Sequence, residues 1–184
     1  MAPPLLVIFA AGATGSWSID RIDAVVGESL APAARLFVSE GAAFDTAPHS
    51  VWALRGSTGN TRYTTGAEVQ SLSAKQEGLA RPQASCAALI PIRKSDAWWT
   101  LAQDARRAIF EEQSRHIGIG LDYLPGVARR LHHSRELGEP FDFLTWFEYA
   151  PADSDAFEDL VRRLRATEEW AYVEREVDIR LTRV

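Results

Sequence analysis

Residues 96–133 read DAWWTLAQDARRAIFEEQSRHIGIGLDYLPGVARRLHH. Ser95 and Asp96 suit a helix N-cap, and nothing from Ala97 to Ile117 breaks a helix, so one long helix is expected. At about 3.6 residues per turn, Trp98, Ala102, Ala105, Ile109 and His116 fall on one buried stripe. Arg106, Arg107 and Glu111 fall on the charged face. Gly118 and Gly120 loosen the helix, and Pro125 ends it. From Gly126 the period changes to two: Val127, Arg129, Leu131 and His133 share one face of a strand, and Ala128, Arg130 and His132 the other. Arg129 therefore lies between apolar neighbours on the inward face. A guanidinium taken out of water is costly alone, so either a carboxylate or a ligand must meet it.

Working outward, Ala87–Ile92 reads as a strand before the long helix. After the Arg129 strand and a turn at 136–140 comes FDFLTWFEY, residues 141–149. It is apolar on both faces, which marks a central or ligand-lining strand. An amphipathic helix follows at 157–166, with Phe157, Leu160, Val161 and Leu164 on one face. A half-exposed strand, 174–182, alternates Val177, Ile179 and Leu181 with charges. This order, β-α-β-β-α-β, is ferredoxin-like. Residues 1–80 read as a shortened copy with one helix missing: strands at 4–11, 17–26, near 36–38 and from 51, then a short helix at 66–76. Residues 78–85 form the linker. The fold class is α+β, two ferredoxin-like halves divided as 1–80 and 81–184. Two helices cover one face of the second sheet; the other face, still apolar, needs a partner or a cofactor.

A net charge of −5 argues against general binding to nucleic acid or membrane surfaces, and no run approaches the roughly 20 apolar residues of a membrane span. The apolar start lacks a basic leader region, so a cytoplasmic protein is expected. One cysteine, Cys86, precludes an internal disulfide. No HxxxH, HExxH or CxxC spacing occurs, which argues against a zinc site.

Taken singly, His116 fits a hydrogen-bonded core histidine, and Arg129 fits a structural ion pair. Together, on an apolar sheet face without metal-cage spacing, they suggest a haem pocket. A haem-ligating histidine usually donates its other ring nitrogen to a carboxylate or carbonyl. Glu168 and Glu169, just past the second helix, are placed to supply one.

The segments WALRGSTGNTRYT, AALIPIRKSDAWW, EEQSRHIGIGLDYLPGVARRLHH, FDFLTWFEYAP and TEEWAYVEREVDIRL span most of residues 51–182. In these the sequence resembles the chlorite dismutase family, in particular its short-chain dimeric branch of dimeric α/β-barrel type. The resemblance implies a haem b enzyme that converts chlorite to chloride and molecular oxygen, with O–O bond formation at the haem, working as a homodimer. It implies His116 as the iron ligand, Glu169 as the carboxylate behind it and Arg129 as the distal arginine. It further implies that Gln76 hydrogen-bonds that arginine, that Thr145 and Phe147 line the distal side, that Lys94 and Trp98 hold the haem edge, and that Tyr63 and Asn60 contact the propionates. Three other readings stand beside it. A coproheme decarboxylase shares the fold but generally lacks the distal arginine. A haem peroxidase of the same superfamily would carry a distal aspartate. A non-haem α/β-barrel binding protein would use His116 and Arg129 as core residues.

Overall fold

Alternating apolar residues and short turns give the chain strands that must each bury one face or both. A computed structural model describes residues 4–41, 49–59 and 63–184. The first half supplies β1 (Leu6–Gly12), β2 (Trp17–Val26), β3 (Arg35–Glu40) and β4 (Trp52–Ser57), followed by α1 (Gly66–Lys75). Between β1 and β2 residues 13–16 only turn the chain, and α1 follows β4 instead of joining two strands of its half, so the first half departs further from the β-α-β-β-α-β order than the loss of one helix. The second half supplies β5 (Cys86–Lys94), β6 (Ala128–His133), β7 (Phe143–Tyr149) and β8 (Val173–Arg183).

All strand pairs are antiparallel, and the strands close in the order β1-β3-β2-β8-β5-β7-β6-β4. Each half has the same internal order, its fourth strand beside its first and its third beside its second. Val7, Phe9, Trp17, Leu36 and Leu54 of the first half meet Leu89, Leu144, Trp146, Ile179 and Leu181 of the second in one core. Trp146 binds the halves together, its ring 5.6 Å from Phe9 and 5.3 Å from Trp17. Where β4 meets β6, a β-carbon on Gly56 would stand 2.6 Å from Cβ of His132, so the seam needs glycine there.

Closure meets one expectation in the first of its two forms. The apolar sheet face left free by the helices becomes the barrel interior, with the first half as its partner. The open space lies instead on the outer face of the second half, beneath its helices.

The single long helix is not formed. Residues 96–122 make α2 (Asp96–Thr100), α3 (Gln103–Arg107), a π-helical run (Ala108–Gln113) and α4 (His116–Asp122). Leu101 and Ala102 are extended between the first two, and Arg115 takes the left-handed conformation, φ 52°, before α4. Contacts made elsewhere outweigh the modest helix propensity of this stretch. Arg107 turns to Glu68 at the start of α1 (Nη2–Oε1 2.6 Å). Glu111, expected on a solvated face, accepts the amides of Ile117 (2.7 Å) and Gly118 (3.2 Å) and so caps α4.

Strand β8 is not half-exposed either. Glu176, Asp178 and Arg180 are buried. Arg165, at the end of α5 (Ser154–Arg165), joins Glu176 and Asp178 at 2.8 Å each, and Asp178 pairs with Arg180. The charges of this strand therefore face a partner under α5 rather than water. Among the described residues no helix is long and apolar enough to cross a membrane.

Candidate functional site

Strand register builds the floor of the site. Across β5, β7 and β6 the rungs run Ala88–Phe147–Arg129, Ile90–Thr145–Leu131 and Ile92–Phe143–His133. The period-two reading of β6 holds: Arg129, Leu131 and His133 face the cavity, while His132 turns into the barrel against Phe9. Two adjoining lobes share Ile92, His116, Thr145 and Trp170 as lining. The larger lobe reaches Tyr63, Lys94, Trp98 and Phe110; the smaller holds Arg129 and Phe147.

His116 opens α4, and three contacts fix its ring. Nδ1 lies 2.7 Å from Oε2 of Glu169. The imidazole stacks between Phe110 (centroids 4.5 Å, 25°) and Trp170 (6.2 Å, 19°). Nε2 makes no hydrogen bond among the described residues, so this nitrogen is the one available to a ligand.

Glu169 sits on the 3-10 turn Glu168–Tyr172 that follows α5, while its neighbour Glu168 is exposed. Its backbone amide donates to Oγ of Ser114 at 3.0 Å, and its second carboxylate oxygen accepts from Nζ of Lys94 at 2.7 Å. Burial alone would raise the pKa of Glu169, but His116 and Lys94 outweigh it and hold it at about 2. The carboxylate is therefore ionised at neutral pH. Lys94 stands 4.4 Å over the ring of Trp98, adding a cation–π contact to the ion pair.

Arg129 faces this assembly from β6. Burial presses its pKa below the ordinary arginine value, with Glu111 pulling the other way. Among the described residues its guanidinium has no hydrogen-bond or ion-pair partner. The sequence left two possibilities for Arg129, a carboxylate or a ligand, and no carboxylate is paired with it. Gln76, the C-cap of α1, does reach this residue, but its Nε2 donates to the backbone carbonyl at 2.7 Å. It therefore holds the strand, not the guanidinium, contrary to expectation.

The remaining expected residues distribute as follows. Thr145 lines both lobes and Phe147 the smaller one. Trp98 is fully buried, and its ring meets Tyr63 at 5.8 Å edge to face. Tyr63 also packs on Phe110 and receives a hydrogen bond from Arg106 (3.4 Å). Asn60 lies outside the described residues. Trp98 and His116 do face one cavity, but from separate helices rather than from one stripe. Phe110, Trp170, Ser114 and Glu111 support His116 and were not singled out in the sequence. The aromatic pair gave only a core-like signal, and the Glu111 cap depends on the left-handed turn at Arg115.

The lining suits an iron porphyrin. Aromatic and aliphatic walls match a flat apolar ring, and one imidazole offers a free nitrogen to iron. The indole Nε1 of Trp98 is buried without a hydrogen-bond partner among the described residues, where an acidic porphyrin edge would supply an acceptor. Among the described residues no three His, Cys, Asp or Glu side chains are grouped to cage a bare metal ion.

Comparison with known proteins agrees. The family model described as chlorite dismutase matches residues 28–184. The chain is 54% identical to a dimeric chlorite dismutase from Nitrobacter winogradskyi, with a TM-score of 0.90 over 97% of this chain and 99% of that one. Chlorite dismutase from Ideonella dechloratans is 35% identical over 84 residues, which is 46% of this chain and 27% of that protein's length. The chlorite dismutase from Candidatus Nitrospira defluvii, solved in complex with imidazole, shares the fold at 21% identity, with a TM-score of 0.68 over 98% of this chain and 91% of that one.

Proposed function

The chain belongs to the chlorite dismutase family, and we propose that it is a haem b enzyme converting chlorite to chloride and molecular oxygen. One observation carries this reading. One cavity is lined by an imidazole with a free Nε2, backed by an ionised carboxylate, and by a guanidinium that has no hydrogen-bond or ion-pair partner among the described residues. When bound, the haem supplies a ferric centre that takes an anionic ligand and exchanges electrons with it.

The residues divide the remaining work. Nε2 of His116 would ligate the iron. Its Nδ1–H donates to Glu169, which fixes the tautomer and raises the basicity of Nε2. Lys94 balances the charge of Glu169, so the second carboxylate oxygen is not left bare in the core. Trp98, whose Nε1–H is unpaired among the described residues, and Tyr63 would border the haem edge. Arg129 stays protonated at any working pH and presents a fixed positive charge and up to five donors to chlorite or to the fragment left when its first Cl–O bond breaks. Charge-assisted hydrogen bonds from Arg129 would keep that fragment in place until the second oxygen is recovered. Ile90, Thr145 and Phe147 keep the wall around it largely apolar, which limits water and side reactions. Gln76 would steady the strand carrying Arg129. The assembly is proposed as a homodimer, like the Nitrobacter winogradskyi protein.

The test is an absorption spectrum of the purified protein, followed by oxygen-electrode traces on adding chlorite. A Soret band and oxygen release in proportion to chlorite consumed are expected. A colourless protein that stays so when given haem, or a haem protein that releases no oxygen, would overturn the reading.

A further inference from the structure

Helix α4 contains two glycines, Gly118 and Gly120, within the sequence HIGIGLD. Glycine is a poor helix former, so each position calls for a reason. At Gly118 the surroundings supply none: a β-carbon there would meet Arg115 Nε and Glu111 Oε1 at 3.6 Å, an ordinary contact. At Gly120 they do. A β-carbon would lie 2.2 Å from Nη1, 2.5 Å from Cζ and 2.6 Å from Nη2 of Arg129. The guanidinium thus fills the volume that any side chain at position 120 would need. Gln76 holds the backbone of Arg129, but no polar group among the described residues bonds its guanidinium, so the resting place of that group is set by shape. Gly120 supplies that shape from the same short helix that begins with His116.

We propose that Gly120 is a positioning residue for Arg129: its missing side chain leaves the slot in which the guanidinium rests, so one helix sets the place of both His116 and the cation opposite. The inference builds on the reading of Arg129 as the group that holds the anion. The atoms that would be displaced are the far end of a flexible side chain, so substitution should move the arginine rather than break the helix.

The experiment compares Gly120→Ala, Gly118→Ala, Arg129→Ala and the double variant Gly120→Ala/Arg129→Ala as haem-loaded proteins. Three properties are measured: thermal unfolding, the guanidinium position in crystals, and fluoride affinity of the ferric haem by spectrophotometric titration. Gly120→Ala should unfold no earlier than the parent and show Arg129 displaced. Its fluoride affinity should fall toward that of Arg129→Ala, about tenfold for one lost charge-assisted hydrogen bond. In the Arg129→Ala background the alanine should add nothing, and Gly118→Ala should behave as the parent. An unmoved guanidinium in Gly120→Ala would overturn the proposal. So would an equal loss of fluoride affinity with and without Arg129. Should Gly120→Ala fail to fold, its rescue by Arg129→Ala would support the shared slot, and failure in both backgrounds would overturn it. A displaced guanidinium with fluoride affinity unchanged in Arg129→Ala would leave the positioning intact and sink the anion-holding role instead.

Discussion

Oε2 of Glu169 lies 2.7 Å from Nδ1 of His116, joining the turn after α5 to the first residue of α4 across 53 positions of sequence. The same carboxylate holds the buried ammonium of Lys94. One side chain thus orients the His116 ring and neutralises Lys94.

Replacing His116 by alanine should empty the pocket of haem or alter the ferric absorption spectrum, because it removes the imidazole that Glu169 orients toward the cavity. Absorption spectra of the variant, purified and after haem addition, check this. Haem retained with an unchanged spectrum would exclude His116 as the ligand.

Glu169→Gln keeps the size of the side chain but removes the charge facing Lys94, which is only 3% exposed. An ammonium left unpaired in the core costs roughly 3–5 kcal/mol. The unfolding temperature of the haem-free protein should fall by about 10 °C for a domain of this size. Lys94→Met in the same chain should restore most of it. A double variant no more stable than Glu169→Gln alone would show that the ion pair is not the cause.

Arg129→Ala should retain haem, since His116 sits on a separate element and keeps its contact with Glu169. It should lose most turnover and release more hypochlorite, because the cation that retains the anionic fragment is gone. A chlorination probe added during turnover measures the leak. Equal leakage and equal turnover in variant and parent would contradict the role.

Acid should loosen the barrel through His132. This ring is fully buried, donates from Nδ1 to the Leu144 carbonyl at 3.0 Å and accepts at Nε2 from Arg130 at 3.0 Å. Burial first, and then the charge of Arg130, press its pKa from 6.5 to about 4, against the opposing pull of that carbonyl. Below pH 6.5 the unfolded chain binds a proton that the folded one refuses, so stability falls as pH drops from 6.5 to 4 and no further on this account. The loss is at most roughly 3 kcal/mol. Unfolding temperatures of parent and His132→Gln across that window test it; parallel curves would assign the acid sensitivity elsewhere.

How much of this was legible beforehand varies by residue. The β-α-β-β-α-β order of the second half, the face of β6 shared by Arg129, Leu131 and His133, and the two-faced character of β7 follow from periods of two and 3.6, which are local properties. The buried-face reading of His116 beside Arg129 picked out the histidine, likeness to family segments chose Glu169 over Glu168, and the structure brings His116 and Glu169 together. The helix breaks at Leu101 and Arg115 were not legible. Propensity there differs by only tenths of a kcal/mol per residue, less than the Arg107–Glu68 pair and the Glu111 cap supply from a distance. The chemistry of Gln76 was half legible: its partner is right, but which atom of Arg129 it meets depends on how α1 lies against β6.

The sequence alone determined the order of the strands, the amphipathic helix before β8 and the two-faced alternation of β6, because those properties repeat along the chain at fixed spacing. Only the tertiary structure decided that one sheet face closes a barrel while the other opens a cavity. It alone decided that the charges of β8 meet Arg165 instead of water, and that Arg129 rests against Gly120. These outcomes depend on distances between residues far apart in the chain, and side-chain spacing within one element carries no record of them.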